Sequence, residues 1–272
     1  MNYGIEYFCI SHIGRLRRTN QDNFICLGRY TEPDSSGTVG TICGKITAGE
    51  NPVFGVFDGM GGEECGEVAA YIAAKHMAGI SFGESPEQEL KDFCREANAE
   101  ICTYAETHDL TSMGTTAAVL LFTRRKIWLC NIGDSKIFRF SKGELQQISY
   151  DHVSVSAYGT KPPLTQNLGI PETELMIEPY VAAETYQKHD IYLICSDGLT
   201  DMLDEAEIGK ILAGCKKEDT AEILLQKTLE RGGRDNITMQ LLYITGAPCG
   251  AGDCMRRISA FLRSRLKISS RS

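Results

Sequence analysis

The chain has 272 residues, 42% hydrophobic and 24% charged, with a net charge of −8 and eleven cysteines; this is a globular composition, which excludes a disordered or fibrous design. The acidic balance argues against a nucleic-acid binder, whose affinity would rest on neutralising phosphates with Lys and Arg. No apolar run reaches bilayer length, so no integral membrane segment is expected, and Met1-Asn2-Tyr3-Gly4 opens no signal-peptide pattern, which predicts a cytoplasmic location.

Strand patterns come first, over Tyr7–Ile13 and Asn23–Leu27, followed by a Gly/Ser/Thr-rich segment, residues 31–51, that reads as an insertion or a hairpin. Glu63–Ile80 and Pro86–Glu106 read as helices, the second with Leu90, Phe93, Ala97, Ile101 and Tyr104 at helical spacing. The Gly83–Pro86 link makes them an antiparallel pair. Strands return over Thr115–Phe122, Lys126–Ile132 and Lys136–Phe140, with turns at Arg124-Arg125 and Ser141–Gly143, which reads as a β meander. Between Asp151 and Ala183, Pro162, Pro163, Pro171 and Pro179 predict an irregular excursion of the kind that often carries function. A strand at Tyr192–Cys195, helices at Asp204–Cys215 and Thr220–Arg231, and a last strand at Ile237–Ile244 complete the series.

This order does not alternate as βαβ units would. It predicts an α+β fold, a four-layer α-β-β-α sandwich of two antiparallel sheets flanked by helix pairs, in one domain over residues 1–246. The remaining residues, 247–272, form a basic tail of charge +5, leaving −13 on the body. Ile258, Phe261, Leu262 and Leu266 share one helical face there, suited to an anionic surface, while the alternative is a solvated terminus. The cysteines form an odd set without a C-x-x-C pair, several inside apolar runs, and read as reduced core residues. A monomer is expected.

Four apolar runs end or begin at an aspartate: Val53–Phe57 before Asp58-Gly59, Ile127–Gly133 before Asp134, Ile191–Ser196 before Asp197-Gly198, and Asp235 before Ile237. If those strand ends meet, each pair of carboxylates at ~5 Å and an effective dielectric of ~20 repels by about 3 kcal/mol. Such a cluster calls for cations, and oxygen-only ligands favour Mg²⁺ or Mn²⁺ over zinc.

With these, Arg17–Asp22 (RRTNQD), Phe57–Gly62 (FDGMGG), Met113–Thr116 (MGTT), Gly133–Ser135, Ser196–Gly198 and Gly233–Asn236 occur in an order that resembles the metal-dependent phosphatases of the protein phosphatase 2C family, of the bacterial type, across roughly residues 5–244. The resemblance implies hydrolysis of phosphoserine and phosphothreonine in proteins by a metal-activated water at a binuclear Mn²⁺ or Mg²⁺ centre, with a possible third ion. It implies that Asp58 bridges both ions with the Gly59 carbonyl on one of them, that Asp197 and Asp235 complete the other, and that Asp22 acts through metal-bound water. Asp134 would hold the third ion and Arg17 the phosphoryl oxygens, with Arg15 and Arg18 as alternatives. Glycine beside the aspartates would give the metals access to the backbone. Expected partners are phosphorylated proteins, a Ser/Thr kinase or its targets among them.

Three positions depart from the family pattern. Met60 stands where eukaryotic members carry histidine, leaving the general acid open between a metal-bound water and His152, for which a structural role bonded to a nearby carboxylate is the competing reading. Gln21 replaces a common glutamate, and the loop after Asp151 is short. These departures keep alive an alternative, a pseudophosphatase acting as a phosphoprotein-binding or regulatory module. A second rival is Cys9–Arg15, a C-x5-R match to cysteine-dependent phosphatases, but Leu16–Asn20 lead into another strand rather than a helix that would activate the thiol. Chelation is expected to abolish activity while Cys9→Ser preserves it in a phosphopeptide assay; the opposite pattern would overturn the metal reading.

Overall fold

A computed structural model describes residues 4–33, 38–47, 51–60, 65–155 and 161–245. The basic tail, the domain boundary at 246, residues 34–37 and 48–50 of the 31–51 segment, and the first residues expected in the first helix lie outside the described residues. The elements in chain order are β1 (Gly4–His12), β2 (Asn23–Cys26), β3 (Thr38–Thr47), β4 (Val53–Phe57), β5 (Gly59–Met60), α1 (Gly66–Ala78), α2 (Pro86–Thr107), β6 (Gly114–Thr115), β7 (Ala117–Phe122), β8 (Ile127–Ile132) and β9 (Lys136–Ser141). There follow β10 (Glu144–Gln147), β11 (Tyr180–Glu184), β12 (Ile191–Cys195), α3 (Asp197–Thr200), α4 (Glu205–Gly214), α5 (Lys217–Glu230) and β13 (Ile237–Ile244).

Two antiparallel sheets form, ordered β10-β9-β12-β13-β1-β3 and β11-β8-β7-β4-β2, with a two-stranded β5-β6 ribbon beside them. The expected four-layer sandwich is the fold observed. Both faces of the central strands are covered, which is why they read as continuous apolar runs. In β12, Tyr192 and Ile194 face the other sheet, while Ile191, Leu193 and Cys195 face α4 and α5. In β7, Ala118, Leu120 and Phe122 point between the sheets, and Ala117 and Val119 lie under α1 and α2. Local signals set the helix starts: Pro86 opens α2, and Asp204 caps α4 by accepting from the Glu207 amide at 2.8 Å in a capping box.

Three expectations change. Segment 31–51 contains β3, an edge strand paired antiparallel with β1; its alternating exposed and half-buried residues leave it no apolar run to announce it. The expected meander is split, since β7 and β8 pair in one sheet but β9 crosses to the other and pairs with β12. The excursion after Asp151 ends in β11, which covers the edge of β8.

Gln240 sits on β13 with no exposed surface. Its Nε2 donates to the carbonyls of Gly55 (2.6 Å) and Ile25 (3.1 Å), tying one sheet to the other through the core. Among the described residues no helix is long and apolar enough to cross a membrane. Replacing Gln240 with Leu removes both bonds from a buried site, and is expected to destabilise the fold by about 1–3 kcal/mol, read as a lower urea midpoint at unchanged m-value.

Candidate active site

Antiparallel register brings the acidic residues to one edge of the sandwich. Asn23 pairs with Phe57, Val56 with Ala118 and Ala117 with Ile132, so Asp22, Asp58 and Asp134 leave the five-stranded sheet at the same end. In the other sheet Cys195 pairs with Met239 and His12 with Ile237, which places Asp197, Asp235 and the segment after β1 together. Asp58, Asp134, Asp197, Asp235, Arg17 and Gly59 line a single cleft of about 380 Å³. Asp22 is buried behind it, accepting from Ser196 Oγ at 2.8 Å.

The supports of these side chains are buried hydroxyls and amides. Thr116 Oγ1 accepts from the Asp58 amide at 3.0 Å and lies 2.6 Å from Ser135 Oγ, while the Thr116 amide donates to the Asp58 carbonyl at 2.9 Å. Asn236 pins the loop that carries Arg17: Nδ2 donates to the carbonyls of Ile13 (2.9 Å) and Thr19 (3.0 Å), and Oδ1 accepts from the Gln21 amide at 2.8 Å. Gly14, at φ +82°, lets that loop press on β13, since a Cβ there would lie 2.2 Å from the Asp235 carbonyl.

The glycines beside the aspartates also meet a packing demand. A Cβ on Gly59 would fall 2.3 Å from the Gly66 carbonyl and 2.4 Å from that of Gln21, and one on Gly198 would fall 1.9 Å from the Asn236 carbonyl. Neighbouring backbone takes up the space, so glycine is required by packing of the site's own frame.

Charge is held here at a cost. Burial, then the neighbouring Asp22, Asp134 and Asp235, pushes the Asp58 carboxyl well above its usual range. Burial pushes Asp22 up to about 7 against the hydrogen bonds of Thr238 and Ser196, and Asp134 is raised by burial against the pull of Lys161. Two cations answer part of this. Arg17 bonds Asp235 Oδ2 at 2.6 Å. Lys161 pairs with Asp197 and stands 3.6 Å from both Asp134 and Asp201.

The residues fit divalent cations. Donors are oxygen only, the carboxylates repel one another, and Asp197 Oδ1 is buried without a hydrogen-bond partner. Among the described residues no three acidic, histidine or cysteine side chains close into a finished cage; Lys161 stands between Asp134 and Asp197 instead.

Lys161 is the site residue that sequence reasoning missed, since it sits in the proline-rich excursion where no periodicity points. His152 is buried, and its Nδ1 accepts from the Gly133 amide at 3.3 Å. That corrects the expected carboxylate partner, because neighbouring Asp151 pairs with Lys136. Gln21 lines the cleft and reaches Glu67 Oε2 at 3.4 Å. Arg15 and Arg18 do not line it. Cys9 is buried in mid-strand and its thiol is pushed well up by burial, which removes the thiolate the C-x5-R reading needs.

The protein phosphatase 2C profile matches residues 43–230, and the chain belongs to that family. Serine/threonine phosphatase stp of Listeria innocua is 29% identical over 252 residues, 84% of this chain and 92% of its own. Serine/threonine protein phosphatase PstP of Mycobacterium tuberculosis is 31% identical over 196 residues, 67% of this chain and 38% of that longer protein. A solved structure of a PstP catalytic domain in complex with two manganese ions has a TM-score of 0.70 at 26% identity, covering 89% of this chain and 99% of that one.

Asn236→Ala removes three hydrogen bonds from the Arg17 loop, and at about 1 kcal/mol each is expected to cost about 3 kcal/mol. Hydrogen exchange at residues 13–21 should accelerate well beyond that of β12; equal protection in both would contradict the pinning role.

Proposed function

We propose that the protein hydrolyses phosphoserine and phosphothreonine in proteins, with the acidic cleft as its active site. The observation that carries this is the convergence of Asp58, Asp134, Asp197 and Asp235, from both sheets, with Arg17 in one cleft. Two divalent ions, Mn²⁺ or Mg²⁺, would when bound supply an activated water for in-line attack at phosphorus and offset the charge on the phosphoryl oxygens.

Asp58 would be shared by the two ions with the Gly59 carbonyl on one of them, Asp197 and Asp235 would hold the other, Asp134 would hold a weaker third ion, and Asp22, held by Ser196, would be the outer partner. Thr116 and Ser135 fix the orientation of the Asp58 backbone. Arg17 is half exposed on Asp235, so its planar fork is free to turn and hold two phosphoryl oxygens. Lys161, also half exposed, would have to yield Asp197 to a divalent ion. Among the described residues no histidine lines the cleft.

The reading is of a cytoplasmic monomer acting on phosphorylated proteins, a Ser/Thr kinase or its targets included. A binding module without turnover is disfavoured because Asp58, Asp197 and Asp235 are all present in the cleft.

Purified protein with Mn²⁺ is expected to hydrolyse p-nitrophenyl phosphate and a phosphothreonine peptide, and to stop on chelation. Asp58→Asn should lower kcat by roughly 10²–10³-fold or more and lose the Mn²⁺-induced rise in Tm that the wild type shows. Activity that persists in chelator would sink the proposal. Arg17→Ala should lower kcat/KM by roughly 10–100-fold, since charge-assisted hydrogen bonds contribute ~1.5–3 kcal/mol, while leaving the Mn²⁺ shift in place; a lost shift would make Arg17 structural instead.

A further inference from the structure

A second cavity adjoins the active-site cleft. It holds about 500 Å³ between the last turns of α2, the loop Leu110–Met113 and the arm Asn167–Glu174, and Met60 forms part of the wall of both spaces. The β5-β6 ribbon, pairing Met60 with Gly114, is the partition. A phosphoprotein bound with its phosphoresidue in the cleft must lay its flanking residues on the adjoining surface, and across Met60 that surface is this cavity.

Its chemistry selects the flanking residue. Leu110, Met113, Ile170 and Ala105 supply apolar wall, and Glu106 and Glu174 supply carboxylates at its lining. Glu172 adds to the same field, for the half-buried Cys102 thiol is pushed up by burial and then by Glu106, Glu172 and Glu174 together. Among the described residues no Lys or Arg lines the cavity, and none of these three glutamates has an ion pair. An apolar wall bordered by unpaired carboxylates matches a long cationic side chain, whose methylenes pack while its head stays at the solvent edge.

We propose that this cavity is a substrate subsite that seats an arginine or lysine flanking the phosphorylated serine or threonine, with Glu106 and Glu174 as its recognition groups. The proposal rests on the phosphatase reading. It assigns to the enzyme a preference for basic phosphorylation sites, the type produced by kinases that themselves select basic residues.

The test scans a single arginine through an otherwise neutral phosphothreonine peptide at successive positions on both sides, with Mn²⁺ present. Both kcat/KM and binding of the fluorescein-labelled peptides by anisotropy are read. At one or two positions arginine should raise kcat/KM and affinity by about five-fold, the scale of partly exposed ion pairs. The doubly substituted Glu106→Gln, Glu174→Gln protein should lose that gain while hydrolysing p-nitrophenyl phosphate at the wild-type rate; both side chains are exposed, so the fold should tolerate the change. An arginine gain at no position, or one that survives the double substitution, overturns the subsite. Preferential binding without turnover of any substrate would instead overturn the phosphatase reading and leave the subsite standing.

Discussion

Repulsion among carboxylates held at one sandwich edge is the constraint around which the rest of the molecule is arranged. The register of two antiparallel sheets brings Asp22, Asp58, Asp134, Asp197 and Asp235 to that edge whatever their charge prefers. The cost is met far from the site, in three apolar clusters, one between the sheets and one beneath each helix pair. Those clusters are continuous along the strands that carry the aspartates, so the cores that stabilise the fold also fix the positions of the charges. A looser sandwich would let the carboxylates drift apart and relieve the repulsion between them.

Much of this is legible in the chain, for a physical reason. Strands buried on both faces must be apolar throughout, so β7, β8 and β12 announce themselves, and β13 falls on the expected residues Ile237–Ile244. β8 and β12 run into an aspartate and β13 begins after one, so the residue order alone marks the acidic edge. What escapes is whatever has one face in solvent or depends on which sheet a strand joins. The edge strand β3 has a Gly/Thr-rich alternation that resembles a loop, and nothing in Lys136–Phe140 states that the chain leaves one sheet for the other after Gly133. Lys161 is illegible because its partners are set by the path of an irregular segment.

The glycines show where one position answers a demand that the sequence does not display. Gly59 and Gly198 sit beside aspartates of the cleft, which invites an explanation in terms of ligand access. The distances also put the carbonyls of Gly66, Gln21 and Asn236 where a side chain would go. The frame of the site is backbone packed on backbone, and its tightness is what denies the carboxylates room to relax.

The cleft divides its charges by mobility. Its anions are anchored: Asp22 on Ser196, the Asp58 backbone on Thr116, Asp235 at the start of a buried strand. Its cations, Arg17 and Lys161, are at the ends of long side chains with nearly half their surface exposed. Under the proposed phosphoryl transfer that asymmetry would be useful, because fixed dipoles and charges cost no reorganisation as a reaction proceeds. Arg17, the proposed phosphate contact, would have to leave Asp235 to follow an incoming phosphate. Arg17 meets that requirement through its loop, whose backbone is pinned by Asn236 while its side chain is left to solvent. The same bonds that hold the loop against β13 therefore let the tip of one residue move without moving the acidic edge it serves.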